Sequence, residues 1–398
     1  MTGSVVTPGR TRGWKANTAL ILGWQVAASI CFYAVYAVTP FVRADFGVSA
    51  TLVGVMVTAL MLGYTAFLVP VGTIIDAYGE GRVLVAGLLG LGAGAIAVTA
   101  APHYLALLVA VFALGACYAT AIPGTNKAVF NVIPHDRLNT SMGIKQVGVT
   151  AGSGISALLI PWFGASRFGW EVGFVLTAVL AVVVAVVFRV AYGSDGGGSG
   201  TDRGGVRSHF RTPEFAVLAA AGFFLGAALF TTIGYTILYV DEAVGAGVVF
   251  AGITLAGAQV FGSGGRVVFG WLADELSAPL AVSTLRILLV QAAASAVLFV
   301  AVTVVETPVV ALVLFSLLGF FVLGFTGIYY SCIGALVSTE EMGSATAGGQ
   351  LALNFGALGA PPAFGFLVDV HGYDAAWAML AAFSLVAFAL LMVVYRWV

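Results

Sequence analysis

The sequence predicts an all-α membrane protein, with twelve transmembrane helices arranged as two pseudo-symmetric six-helix bundles. Three observations predict it. Of 398 residues, 61% are hydrophobic and only 8% charged, with a mean hydropathy of +1.06, whereas a soluble domain carries about 25% charge. The apolar residues fall into runs that can cross a hydrocarbon layer of about 30 Å, which takes roughly 20 helical residues. The second half of the chain also repeats the first.

In chain order the spans are predicted at 17–42, 49–75, 82–101, 104–126, 139–163 and 170–192, then at 213–240, 246–272, 280–304, 309–335, 344–368 and 374–396. Arg10, Arg12 and Lys15 precede the first run. That run exceeds the roughly 7–15 residues of a cleavable signal core, so it reads as a span. A β-barrel would need short alternating segments, and these runs are continuous. Between the sixth and seventh spans, residues 193–205 read Gly-Ser-Asp-Gly-Gly-Gly-Ser-Gly-Thr-Asp-Arg-Gly-Gly, a flexible-linker composition. The expected organisation is therefore a bundle over 13–192, a cytoplasmic linker over 193–212 and a second bundle over 213–398.

Charge sets the orientation. The 16 basic and 17 acidic residues give a net charge of −1, so no basic field exists to attract nucleic acid. Thirteen basic residues fall at loops and span ends on the side of the N-terminus, and only Arg43 and Arg167 on the other. The positive-inside bias puts both termini in the cytoplasm of a multi-pass protein of the cell membrane. Cys31, Cys117 and Cys332 lie inside apolar runs without metal or disulfide spacing, and His103, His135, His209 and His371 lie in loops or at helix ends. No phosphate-binding glycine loop occurs. These features predict neither an enzyme nor a bound cofactor or metal. The expected partners are a small solute and the lipid bilayer, with the chain acting as a monomer.

The repeat is plainest in a Gly-x-x-x-Asp element. Gly72 and Asp76 end the second span, and Gly270 and Asp274 end the eighth, 198 residues later; Gly54 and Gly252 share that offset. Looser echoes pair Gln146 with Gln350, and Pro161 with Pro361 or Pro362. A glycine lets a neighbouring helix approach closely. An aspartate at the membrane edge can face a helix N-terminus or a basic partner. Such contacts form and break cheaply and suit a gate, although a single copy is equally a plain helix-ending turn.

On Gly72 to Arg82 (Gly-Thr-Ile-Ile-Asp-Ala-Tyr-Gly-Glu-Gly-Arg) and Gly265 to Asp274 (Gly-Arg-Val-Val-Phe-Gly-Trp-Leu-Ala-Asp), the chain resembles the major facilitator superfamily over essentially its whole length. The family usually places a basic residue directly after the aspartate. Here Ala77 stands there, and Glu80 occupies another commonly basic position. The resemblance implies two bundles that rock about a central cavity, with an inner gate built on Gly72, Asp76, Arg82, Gly270 and Asp274.

Charge at membrane depth costs about 2.5–3.5 kcal/mol on insertion scales, so ionisable residues away from span ends are the informative ones. Two remain, Lys145 about 9 Å into the fifth span and Arg266 about 12 Å from Asp274 in the eighth, at ~1.5 Å per residue. Either could snorkel to the interface or pair structurally. Their repeat mates are Gly349 and Leu68, so the shared architecture does not require either cation. Every acid falls at a predicted span end or in a loop. Two cations facing each other across a cavity without a carboxylate would attract a small anion such as a carboxylate. This resembles the superfamily's monocarboxylate and oxalate-type carriers, in which an arginine on the eighth helix engages the substrate. Polar side chains at helical spacing extend the candidate binding set to Gln146, Tyr33, Tyr36, Tyr235, Tyr330, Gln350 and Asn354. Gln25, Tyr239 and Tyr329 are further candidates. The alternative within the superfamily is efflux of multiple lipophilic drugs. Gly143, Gly148, Gly152 and Gly154 partly match the drug-antiporter signature, but Ser153 stands where that signature has proline.

Overall fold

The computed structural model describes residues 13–134, 137–192, 212–337 and 342–398. Twelve helices in it are long and apolar enough to span a membrane. They are α1 (Trp14–Ala37), α2 (Ala50–Tyr78), α3 (Glu80–Thr99), α4 (Tyr104–Val132), α5 (Thr140–Gly164), α6 (Trp170–Ala191), α7 (Pro213–Glu242), α8 (Val248–Glu275), α9 (Leu280–Val302), α10 (Pro308–Leu336), α11 (Ala345–His371) and α12 (Tyr373–Trp397). The stretch 193–205 lies outside the described residues.

Prolines and glycines explain where these helices depart from the sequence expectation. The first span was expected to reach residue 42, but α1 ends at Ala37 and a short helix, Thr39–Phe46, follows. Pro40 has no N–H for the Tyr36 carbonyl four residues back. Thr39 Oγ1 donates to that carbonyl instead, at 3.1 Å. α4 runs to Val132 rather than 126 and is interrupted between Tyr118 and Ala121, ahead of Pro123, which cannot donate to Ala119. α10 is interrupted without a proline: Pro308–Leu318 passes through a π-helical turn, Gly319–Leu323, and a fresh helix begins at Thr326.

Packing reproduces the repeat. In the first bundle α1 packs on α5, α2 on α4 and α3 on α6; in the second α7 packs on α11, α8 on α10 and α9 on α12. Across the bundles α2 meets α11 and α8 meets α5. Lipid is as apolar as a leucine side chain, so such helices associate through close packing rather than hydrophobic burial. Both seams rest on repeat-related glycines. A Cβ on Gly54 would lie 2.4 Å from the Pro361 carbonyl oxygen, and a Cβ on Gly252 2.3 Å from that of Ala157 and 3.0 Å from the Pro161 ring. The sequence echoes Gly54/Gly252 and Pro161/Pro361 are thus the two halves of one contact, made twice.

The two ends of the molecule differ. One end carries residues 13, 192, 212 and the C-terminus; the other is the far end. Among the described residues, the hydrogen bonds joining the bundles gather towards the far end. Asp369 of α11 accepts from the Ala50 and Thr51 N–H groups at 2.9 and 2.8 Å and from Thr51 Oγ1 at 2.6 Å. Thr58 Oγ1 donates to the Leu358 carbonyl at 2.7 Å, and Thr39 Oγ1 approaches the Gly234 carbonyl at 3.4 Å. Arg43 forms an ion pair with Glu242, which also accepts from Tyr373 OH at 2.8 Å.

Candidate functional site

A cavity of about 390 Å³ lies between the bundles. Its lining comes from the middles of α1, α2, α4 and α7. It also includes Gly143, Gln146, Val147, Val149 and Thr150 near the start of α5, Ser263, Arg266 and Val267 in α8, Thr326, Gly327 and Tyr330 in α10, and Gln350 and Leu353 of α11. The α5, α10 and α11 residues belong to the halves nearer the termini, so the cavity extends towards that end while the far end is sealed.

The first bundle contributes an aromatic wall. Phe32 stacks on Tyr118 with ring centroids 4.0 Å apart, and Tyr33 stands edge-on to Phe32 at 5.2 Å. Behind it a polar ladder holds the rings. Thr125 Oγ1 donates to Gln25 Oε1 at 3.3 Å, Gln25 Nε2 to Ser29 Oγ at 3.2 Å, and Ser29 shares a 3.2 Å hydrogen bond with Tyr118 OH. Gln25 is therefore a structural brace. In the second bundle Tyr330 OH donates to Gln350 Oε1, and Gln350 Nε2 donates to Asn354 Oδ1 at 2.8 Å.

Arg266 is the cation of this cavity. Its Nε donates to the Leu323 carbonyl at 3.2 Å, and among the described residues it makes no ion pair. Tyr33, Gln146, Tyr330 and Gln350 line the same space. The expectation that Lys145 faces Arg266 across the cavity is corrected. Lys145 is 1% exposed, is absent from the lining, and donates through Nζ to Asn126 Oδ1 of α4 at 2.6 Å. Successive helical residues point about 100° apart, so an α5 that turns Gln146 to the cavity turns Lys145 back into its own bundle.

Five further candidates lie elsewhere, among them Tyr239, whose OH donates to the Val302 carbonyl at 2.8 Å, and the fully buried Tyr329. Tyr36 is fully buried beside Tyr33 in the first bundle. Tyr235 OH lies 2.7 Å from the Ala50 carbonyl and 2.9 Å from that of Pro361, sharing its one proton between the bundles. Asn354 sits buried behind Gln350.

The Gly-x-x-x-Asp elements reach the termini end in both bundles. Asp76 pairs at 2.9 Å with Lys127 of α4, within its own bundle. Gly72 is half-buried, and Arg82 is exposed in the first turn of α3. Asp274 is exposed, and the space beside Gly270 is open, so that glycine serves no close approach here. Glu80, the departure from the family pattern, is buried and accepts from Asn131 Nδ2 at 2.7 Å and Tyr192 OH at 2.8 Å, tying together the ends of α3, α4 and α6. Sequence reasoning missed the far-end residues Arg43, Glu242, Asp369 and Tyr373. Their signal was charge placed at span ends on the sparsely basic side, but the partners stand 199 and 319 residues apart.

Two repeated six-helix bundles around a central, one-sided cavity define a membrane carrier. The chain belongs to the Major Facilitator Superfamily, whose sequence profile matches residues 21–350. It is 28% identical over 142 residues to a hexuronate transporter of Bacillus subtilis (strain 168), a match covering 35% of this chain and 33% of that transporter. The chain thus aligns with only about a third of that relative's length. Its fold is similar to that of a bacterial homologue of the human lysosomal transporter Spinster in an inward-facing, occupied conformation, with a TM-score of 0.82, 14% identity and 97% of each chain covered. It is also similar to a variant of the nucleoside transporter NupG, with a TM-score of 0.81, 12% identity, and 95% and 99% of the two chains covered.

Proposed function

We propose that this protein carries a small organic anion bearing a carboxylate, by alternating access, and that the structure is its inward-facing form. The observation that carries the reading is Arg266. It lines the cavity with no carboxylate partner among the described residues, and a guanidinium in a low-dielectric crevice is best satisfied by a bidentate anion. With Lys145 turned away, the described residues lining the cavity include one cation, Arg266, which matches a single carboxylate. The partial likeness to a hexuronate transporter supports a carboxylate as cargo. Placing the termini in the cytoplasm rests on the bias of basic residues towards that side.

The test is uptake by reconstituted vesicles of labelled carboxylates, glucuronate among them. Arg266→Ala should lower uptake at least a hundredfold, because a lost charge-assisted pair in a dry site costs about 3 kcal/mol, while the purified protein still folds and unfolds cooperatively, its melting temperature lowered only by the loss of the Leu323 hydrogen bond. Undiminished carboxylate uptake by Arg266→Ala overturns the reading. The aromatic wall of Phe32, Tyr33, Tyr64 and Tyr118 favours a second reading, export of lipophilic compounds. Drug-stimulated stabilisation that survives Arg266→Ala would establish it in place of the first.

A further inference from the structure

The interruption of α10 does something that neither its composition nor the repeat demands. The local sequence is Gly319-Phe-Phe-Val-Leu-Gly324-Phe-Thr-Gly327, without proline. The chain passes through a π turn at Gly319–Leu323, leaves the helix at Gly324 and Phe325, and restarts at Thr326. In a continuous helix the Leu323 carbonyl would accept from the Gly327 N–H. The break removes that donor, and a buried carbonyl must find another. Leu323 is 1% exposed, and the donor it finds is Arg266 Nε.

The meeting of these groups depends on backbone contact between α8 and α10. A Cβ on Gly265 would lie 2.3 Å from the Phe320 carbonyl oxygen. One on Gly324 would lie 2.1 Å from the same oxygen and 3.2 Å from Gly265 Cα. No side chain fits at either position. α4 is interrupted at the corresponding place, between Tyr118 and Ala121, but the α2 residue matching Arg266 is Leu68. The break therefore belongs to both halves, and only the second half carries an arginine able to use it.

We propose that the main-chain carbonyl of Leu323, held in place by the Gly265–Gly324 contact, positions Arg266 so that its two terminal amino groups meet a substrate carboxylate end-on. This rests on Arg266 as the carboxylate-binding residue. Fixing Nε in advance removes rotamer freedom that binding would otherwise have to freeze, and it turns a mobile point charge into a planar two-point recognition element.

The test uses full-length protein labelled with ¹⁵N-arginine, in which the Arg266 Nε–H resonance is identified by its loss in Arg266→Lys. In the wild type this resonance is protected from solvent exchange. Gly324→Ala should abolish the protection and raise the KM for glucuronate uptake about tenfold, with the maximal rate within twofold. Should Gly324→Ala fail to fold, a main-chain ester at position 324 weakens the Leu323 carbonyl as an acceptor without adding a side chain, and the same loss of protection is expected. Unchanged protection in both variants overturns the inference, as does lost protection with an unchanged KM. Glucuronate uptake that persists in Arg266→Ala is a different result: it removes the carboxylate reading itself, whatever the resonance shows.

Discussion

Asp369 offers the sharpest handle on the closed far end. Its carboxylate caps the first turn of α2 from the opposite bundle, through the Ala50 and Thr51 N–H groups and the Thr51 hydroxyl. The cap from α2's own bundle is weaker, with Ser49 Oγ accepting from Leu52 N–H at 3.4 Å. An acidic N-cap contributes about 1 kcal/mol through its hydrogen bonds and a further 0.3–1 through the helix dipole. Asp369 is solvent-exposed, so screening trims that sum and the freed N–H groups rebind water. Roughly 1.5 kcal/mol remains, and it exists only while the bundles touch. Asp369→Ala should therefore shift the balance between closed and open far ends by about tenfold towards open, at 1.4 kcal/mol per decade. Asp369→Asn, still an acceptor but uncharged, should fall between. The assay is a pulsed spin-label distance between Phe168→Cys and Val304→Cys, exposed far-end positions in different bundles, with Cys31, Cys117 and Cys332 replaced. A distance distribution identical to that of the parent would refute the assignment of Asp369 as a latch.

Other outcomes follow from the same geometry. Arg43→Glu should open the far end through repulsion of Glu242, and the double exchange Arg43→Glu with Glu242→Arg should restore closure in the same distance measurement. Each exposed pair is worth at most about 1 kcal/mol, and the effect should fade at high salt. Gly54→Ala and Gly252→Ala each drive a methyl group into a carbonyl of the other bundle. Both should shift the distance between labels at 168 and 304 towards the open far end or lower the melting temperature by several degrees. Lys145→Met should leave the KM for a carboxylate within twofold, because Lys145 lies outside the cavity and touches Asn126. A large KM change in that variant would return Lys145 to the binding site.

The architecture was legible because its causes are local or periodic. Apolar run length fixed the spans, and a shared offset fixed the repeat. Span ends failed where one hydrogen bond decides: Pro40 ends α1 while Thr39 repairs the loss, and a count of apolar residues runs straight through both. The cavity was legible in part for a geometric reason. Depth follows from counting residues, which found Arg266. Facing depends on helix rotation, which counting does not supply, so Lys145 and Gln146 were assigned together although they point different ways. The break in α10 gave no proline to read. The far-end contacts were out of reach because each joins residues from different bundles, and in a one-dimensional reading Asp369 is only a helix-ending acid.

The far-end seam also accounts for how two conformations of such a chain can stay close in energy. Pro362 denies the Leu358 carbonyl its helical donor, and the hydroxyl of Thr58 in the other bundle supplies the replacement. Pro161 does the same to Ala157, whose carbonyl abuts Gly252 across the second seam. A continuous helix would present saturated backbone at these seams, and the bundles would meet through van der Waals contact alone. At Pro362 the proline instead leaves an acceptor that the opposite bundle satisfies when the seam is shut and water satisfies when it is open. Each exchange of a protein donor for water is worth only about 1 kcal/mol net. A handful of them, with one exposed ion pair and one exposed cap, therefore holds the far end shut by a few kcal/mol. A margin of that size can be outweighed by the differential binding of one charged ligand between the bundles. Valine at position 58 tests the point: it keeps the packing volume but removes the donor, so the far end should open severalfold more often without loss of fold.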